Sequence, residues 1–554
     1  MRHLLWLALI AGCGARSGLT SDDFAASAAA GTSGSGSLAG TGGTRVGNGG
    51  ASSSGGAGRG GSATNNAGAA GRAGNASAGA GGSCTCDVNE RCCTANEACV
   101  PDTCVCLDPK LLRVEPPNAR NGVPASDGVQ ATFSCSPDPR IPRPTNLHIT
   151  GRFAAQLPTS FPTATPPSSI VLQLAKPDTP LMQPYFPGEL ITGWLGAPLG
   201  GPFLWQYTAA VRRKSSGKFS DTGQALSAAE EVELADLDHD GDLDLVAGSA
   251  PDQVGRVWSN DGHGNFALRA SLPPFRKPLL GDVDGDGDLD IVTDHLYLND
   301  GMFKFTESAT LGEAYALFDA DGDGDLDVFA TQNGKQRTLF SNDGAGRFTP
   351  KAMGTSYIYD AQAGDLDNDG DLDLVLLTVS DSSPAVFDGT VLLNDGKGAF
   401  LENAAGLLVD ATRTIALGDV DRDGDLDVFM ASWGAAGARN PADQVWLNDG
   451  NAHFKPGDAP LTGSIQILFA DLDGDGDLDA IAGQHPPYSV VKGEPSRILL
   501  NDGKGRFTSS GTVGGSNFQH LAIGDLDGDG DLDAVVAQWD WTTTPAVQVW
   551  LQDG

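Results

Sequence analysis

One nine-residue string, Asp-x-Asp-x-Asp-Gly-Asp-Leu-Asp, occurs seven times in this chain. The copies begin at Asp236, Asp282, Asp319, Asp365, Asp419, Asp471 and Asp525, spaced 46, 37, 46, 54, 52 and 54 residues apart. A near-constant period of this size marks a repeat architecture, whose units bury their apolar faces against their neighbours. β-prone runs bracket every copy. Ile415-Ala416-Leu417 or His520-Leu521-Ala522-Ile523 enters a motif, and residues 243–247 or 372–377 leave one. A third run, such as Val445-Trp446-Leu447 or Ile498-Leu499-Leu500, ends in Asn-Asp-Gly, and a Phe-bearing fourth follows, as at Gly505-Arg506-Phe507. Four short strands per unit predict propeller blades.

Asn-Asp-Gly begins at Asn260, Asn299, Asn342, Asn394, Asn448 and Asn501, and the seventh copy is Gln552-Asp553-Gly554. These residue types tolerate the positive φ that tight hairpins demand, so each triplet reads as a turn between the third and fourth strands. The seventh hairpin lacks its second half, and Ser216-Gly217-Lys218-Phe219 looks like that half. Residues 217–222 are therefore expected to supply the outer strand of the last blade. Pairing the two ends closes the ring and leaves no open strand edge. The expected fold is all-β, with a seven-bladed propeller over 214–554.

The motif also carries a chemistry. Thirty-five of the 71 acidic residues lie in its seven copies. Two carboxylates ~5 Å apart repel by about 0.8 kcal/mol even in water, and four make six such pairs. A divalent cation reverses that cost, whereas solvated Asp-Gly turns without metal would bear it. Side chains at positions one, three, five and nine, with the carbonyl of position seven, can wrap one oxygen-seeking ion, and Gly at position six permits the sharp turn. An EF-hand differs, with Glu at position twelve and helical flanks. All-oxygen, carboxylate-rich coordination suits Ca²⁺ better than Zn²⁺, which takes Cys or His, or Mg²⁺, which keeps its waters. The candidate ligands are Asp236, Asp238, Asp240, Asp242 and Asp244 in the first loop, and Asp282, Asp284, Asp286, Asp288 and Asp290 in the second. Asp319, Asp321, Asp323, Asp325 and Asp327 follow, then Asp365, Asp367, Asp369, Asp371 and Asp373. Asp419, Asp421, Asp423, Asp425 and Asp427 form the fifth set, and Asp471, Asp473, Asp475, Asp477 and Asp479 the sixth. Asp525, Asp527, Asp529, Asp531 and Asp533 complete the series. About seven Ca²⁺ are expected, with a structural role, and would bring the formal charge from −36 to −22. Leu at position eight of every copy is expected to point into the core.

These units resemble the FG-GAP/VCBS repeats of bacterial surface proteins and the calcium-bearing blades of integrin α-subunit propellers. The resemblance spans 214–554 and implies a calcium-binding propeller used in adhesion or recognition.

Upstream, Met1-Arg2-His3, the apolar stretch 4–11 and Gly12-Cys13 read as an export signal over 1–12. Ile10-Ala11-Gly12-Cys13 resembles the bacterial lipobox, which implies a lipidated Cys13. An ordinary signal peptide is the plainer alternative. With no Asp after the Cys, the resemblance implies an outer-membrane or cell-surface lipoprotein. No apolar run approaches the roughly 20 residues of a membrane-spanning helix. Residues 13–83, almost entirely Gly, Ala, Ser, Thr and Asn, cannot bury enough apolar surface to fold and read as a disordered tether. Cys84, Cys86, Cys92, Cys93, Cys99, Cys104 and Cys106 follow in a module over 84–107, and Cys135 makes the set even. In an exported chain this reads as disulfides, with connectivity left open; a zinc site competes but lacks Cys-x2-Cys pairs and nearby His.

Over 108–213, β-prone runs at 111–114, 129–134, 147–153, 170–174 and 205–211 alternate with Pro-rich turns, as in an antiparallel sandwich. Pro116-Pro117-Asn118 to Gly122-Val123-Pro124, Tyr185-Phe186-Pro187-Gly188-Glu189 and Pro202-Phe203-Leu204-Trp205-Gln206-Tyr207 resemble bacterial Ig-like domains, which implies a spacer.

The acidic balance, 35 basic against 71 acidic residues, argues against nucleic acid as a partner. Strand alternation puts the acidic loops and the Asn-Asp-Gly turns on one face of the disc. The connections between second and third strands open on the other face. They are minimal at Asp294-His295 but long at 380–388, 432–442, 484–495 and 538–545. These insertions carry Trp433, Arg439, His485, Tyr488, Trp539 and Trp541, an expected make-up for a protein or glycan recognition face, though the aromatics could equally cap blade edges. The eight His fall in no HExxH, and no nucleophile elbow lies in a folded region, so no catalytic residues are assigned. The expected function is a membrane-anchored, calcium-stabilised binding or adhesion module. The alternatives are a structural envelope protein and a polysaccharide-acting propeller enzyme.

Overall fold

A computed structural model describes the strands between residues 97 and 209, and residues 211–552 apart from 212–216, 228, 249–253, 380–386, 408–411, 433–442, 459–463, 485–494, 516–517 and 539–545. Cys13, the tether and the six long-loop residues singled out above (Trp433, Arg439, His485, Tyr488, Trp539, Trp541) lie outside the described residues, as do Cys84, Cys86, Cys92, Cys93 and Cys135. Every element among the described residues is a strand.

At the N-terminal end, Glu97–Val100 pairs antiparallel with Thr103–Cys106, which sets Cys99 opposite Cys104 in the backbone register. The strands of 111–209 form two four-stranded sheets. One pairing departs from the expected antiparallel pattern: Phe203–Ala209 runs parallel to Arg120–Val123. Pro116-Pro117 supplies a reason, because neither residue can donate to a ladder. The chain leaves one sheet after Leu111–Glu115 and re-pairs in the other at Arg120–Val123.

Seven four-stranded sheets follow as blades. In blade 1, Glu231–Ala235, Asp244–Gly248, Gly255–Ser259 and Ala267–Leu272 pair antiparallel in chain order. The innermost strands of blades 2 to 7 are Leu279–Gly281, Glu313–Phe318, Tyr357–Gly364, Thr412–Gly418, Ser464–Ala470 and Phe518–Gly524. Blade 7 takes its outer strand from the other end of the region, Phe219–Leu226 pairing antiparallel with Ala546–Gln552. Phe219 faces Gln552, so the split hairpin is made whole, and the strand runs past residue 222 through an irregularity between Asp221 and Ala225.

Burial explains the strand compositions. Second strands are covered by two strands of their own blade and by both neighbouring blades. Asp427–Ser432 and Asp479–Gln484 are buried at every residue and read as nearly unbroken apolar runs. Outer strands such as Thr349–Thr355 are exposed at almost every position and lack the unbroken apolar runs of the second strands.

The apolar core lies between blades rather than within them. Trp258, Leu234 and Leu245 of blade 1 pack with Val535, Val547 and Val549 of blade 7. Equivalent clusters join blades 1 and 2, 2 and 3, 3 and 4, 4 and 5, 5 and 6, and 6 and 7. A blade alone would expose half of each cluster. At about 1.5–3 kcal/mol for each large side chain withdrawn from water, closing the ring is what stabilises the fold. Deleting residues 214–226 should leave Ala546–Gln552 as an open edge, and light scattering is expected to report concentration-dependent association of that variant.

Candidate metal centres

Each acidic loop joins the first and second strands of a blade, and its backbone conformation repeats. Gly at position six has φ between 91° and 97° in all seven copies, a region closed to L side chains without strain. Position four is also left-handed throughout, with Gly285, Gly322, Gly474 and Gly528 at φ 75–76° and His239, Asn368 and Arg422 at 60–63°. The sequence reading anticipated the turn at position six and missed the one at position four.

This path turns carboxylates inward. Oxygens of positions one, three and nine lie within 4.8 Å of one another, as in Asp236–Asp238–Asp244 and Asp419–Asp421–Asp427. Position one accepts the N–H of the position-six Gly, from 2.9 Å at Asp319 to 3.3 Å at Asp365. Position five lies at the exposed rim and accepts the N–H of position seven, as Asp423 does from Asp425 at 3.1 Å. The position-seven side chain points away, against the Gly of the blade's own Asn-Asp-Gly. A Cβ on Gly262 would lie 2.7 Å from the Asp242 carboxylate.

Position nine is a second surprise. Asp427 Oδ2 accepts the N–H of Val420 at 3.0 Å, and its Oδ1 accepts the N–H of Asn448 at 2.8 Å. The same pair of bonds recurs at Asp244, Asp290, Asp327, Asp373, Asp479 and Asp533. This carboxylate therefore ties the acidic loop to the end of the third strand through its own hydrogen bonds.

Burial makes these charges costly. It pushes Asp244, Asp427 and Asp533 up to about 8, and Asp290, Asp327, Asp373 and Asp479 to about 7. At position one, burial raises Asp365 to about 8, with Asp373, Asp369 and Asp367 adding to it, and raises Asp236 to about 6. Asp236 Oδ1, Asp238 Oδ1, Asp321 Oδ1 and Asp421 Oδ1 are buried without a hydrogen-bond partner. Unpartnered buried carboxylate oxygens, converging in an all-oxygen set, fit a hard divalent cation.

The Asn-Asp-Gly triplets do more than turn the chain. Positive φ falls on their Gly and on the residue two further on, as at Gly262 and Gly264. The Asn side chain instead crosses to the preceding blade. Asn448 Nδ2 donates to the carbonyl of Leu366, the buried position-two residue of blade 4, at 2.8 Å. Asn299, Asn342, Asn394 and Asn501 reach Leu237, Val283, Ala320 and Val420 in the same way. Asn260 and Gln552 complete the circuit by bonding Leu526 and Leu472.

At the opposite ends of the inner strands, a second set of links ties blades together. Asp360 accepts the N–H of Ile415 at 2.9 Å and pairs with Lys277. Burial opposes the Lys277 charge, yet Asp360 holds its ammonium above the usual lysine range. Gln466 bonds both the N–H and the carbonyl of Leu521. The expected inward Leu at position eight also serves a seam. The Cβ missing from Gly418 would meet Leu478 of the next blade at 2.8 Å.

The FG-GAP-like repeat model matches residues 236–293, 319–376, 365–430, 419–482 and 488–536. Two crystal structures of BBS1N in complex with ARL6DN, one soaked with lead and one with mercury, are similar in fold. The first gives a TM-score of 0.40 at 10% identity, covering 62% of this chain and 98% of that one. The second gives 0.39 at 9% identity over the same shares. No curated protein matches the sequence.

Proposed function

This chain is an FG-GAP-repeat β-propeller protein, and from that premise we propose that it is a calcium-stabilised recognition module held at the cell surface. The propeller is a binding or structural scaffold, and the acidic clusters of its repeats are able to hold metal ions. The observation that carries the calcium reading is the convergence of positions one, three and nine in the acidic loops, with buried, unpartnered carboxylate oxygens at Asp236, Asp238, Asp321 and Asp421.

In this reading one Ca²⁺ fills each loop, held by the side chains of positions one, three, five and nine with the carbonyl of position seven. The ion offsets carboxylate repulsion and rigidifies the blade. A protein or glycan partner binds, in this reading, to the long connections between second and third strands at 380–388, 432–442, 484–495 and 538–545. Trp433, Arg439, His485, Tyr488, Trp539 and Trp541 are its first candidates. Support for binding over catalysis comes from the inner-strand groups, because Asp360 and Gln466 are spent on bonds between blades. Acyl chains on Cys13 anchor the chain in the outer membrane, each buried CH₂ contributing about 0.8 kcal/mol, and 13–83 holds the folded part away from it.

Glycan and protein arrays probed with and without Ca²⁺ test this function. Calcium-dependent binding that disappears when 432–442 or 538–545 is cut back supports it, provided the trimmed protein melts as the parent does. Silence across the arrays favours a purely structural envelope role.

A further inference from the structure

The left-handed residue at position four is Gly in four loops. In the other three, its side chain reaches the next blade and meets the same target each time, the position-seven carboxylate. His239 Nε2 lies 2.7 Å from Asp288 Oδ1. Asn368 Nδ2 donates to Asp425 Oδ1 at 2.7 Å. Arg422 Nη1 lies 2.6 Å from Asp477 Oδ1. These three residues hold φ of 60–63°, a conformation that L side chains avoid and that Gly285, Gly322, Gly474 and Gly528 adopt freely. A strained backbone kept only where its side chain bridges two acidic loops points to a role in linking them.

We propose that His239, Asn368 and Arg422 are positioning residues that couple neighbouring metal loops, so that the seven sites fill in groups. The proposal rests on the calcium reading above. Position four lies in the chain between the carboxylates of positions three and five, so wrapping an ion fixes its backbone. The side chain then holds position seven of the following loop, whose carbonyl is that loop's own ligand. Ordering one loop prepares the next, and the coupling acts equally in both directions. The links join loops 1 and 2 into a pair and loops 4, 5 and 6 into a trio. Loops 3 and 7 have Gly at position four and follow loops that also have it, so they carry no such link.

Calorimetric Ca²⁺ titration of the full chain tests this, comparing wild type with the triple variant His239→Gly, Asn368→Gly, Arg422→Gly. Four native loops already carry Gly at this position, and melting in saturating calcium verifies the fold. Wild type should fill five of its sites over a narrow concentration range. The variant should bind as many ions, with the linked sites weakened about five-fold and the transition broadened. The single variant Arg422→Gly should release only loop 6 from its group. Superimposable titrations of variant and wild type would overturn the coupling. Absence of calcium uptake by wild type would instead overturn the calcium reading beneath it.

Discussion

Stripped of divalent cations at pH 8, the propeller is expected to melt roughly 20 °C lower than in excess calcium. A site held at a hundred times its dissociation constant contributes about 2.7 kcal/mol, so three or four such sites match the whole stability of an ordinary domain. The pH dependence should reverse with the metal. Without ions, burial holds the position-nine carboxylates at about 7 to 8 in the folded state, as at Asp290 and Asp427. Their unfolded value is about 3.9. A group raised on folding contributes stability that is complete below its unfolded value and lost as pH rises through its folded value. Chelated protein should therefore melt higher at pH 5 than at pH 8. Bound calcium would hold the same carboxylates ionised, so acid should displace the ions and the loaded protein should melt lower at pH 5. Scanning calorimetry across this range would show crossing trends. Parallel trends would contradict the account.

Asp427→Ala should cost about 4 kcal/mol in urea unfolding, with or without calcium. Its two oxygens accept the N–H groups of Val420 and Asn448, and both donors would be left buried and unpaired. Asp423→Ala provides the contrast. Asp423 is exposed at position five, beside the carboxylates of Asp419 and Asp421. Removing it should weaken the calcium-loaded protein and leave the chelated protein unchanged or slightly more stable, because repulsion is relieved. If the cost of Asp427→Ala vanished in chelator, position nine would be a metal ligand alone. The tie between acidic loop and third strand would then have no energetic weight.

The architecture was legible because its signals are local. Seven Asp-Gly loops with strand-forming flanks mark seven units, and the half hairpin at Lys218-Phe219 identified the strand that Gln552 lacked. The links between blades were not legible in the same way. Asn299 and Leu237 are 62 residues apart and meet only because adjacent blades pack face to face, which no short-range spacing encodes. One signal was available: Asp-Gly suffices for a turn, yet an amide residue precedes it every time, Gln at 552 included. The left-handed position four was hidden for a different reason. Gly fills it in four loops and His, Asn or Arg in three, so no shared residue type marks the turn.

Counting ions decides the central question. After dialysis against micromolar calcium and removal of free ions, elemental analysis of the full chain should find about seven calcium ions per molecule. Chain free of bound calcium, magnesium or other divalent ions, with a melting temperature unmoved by EDTA, would contradict the account.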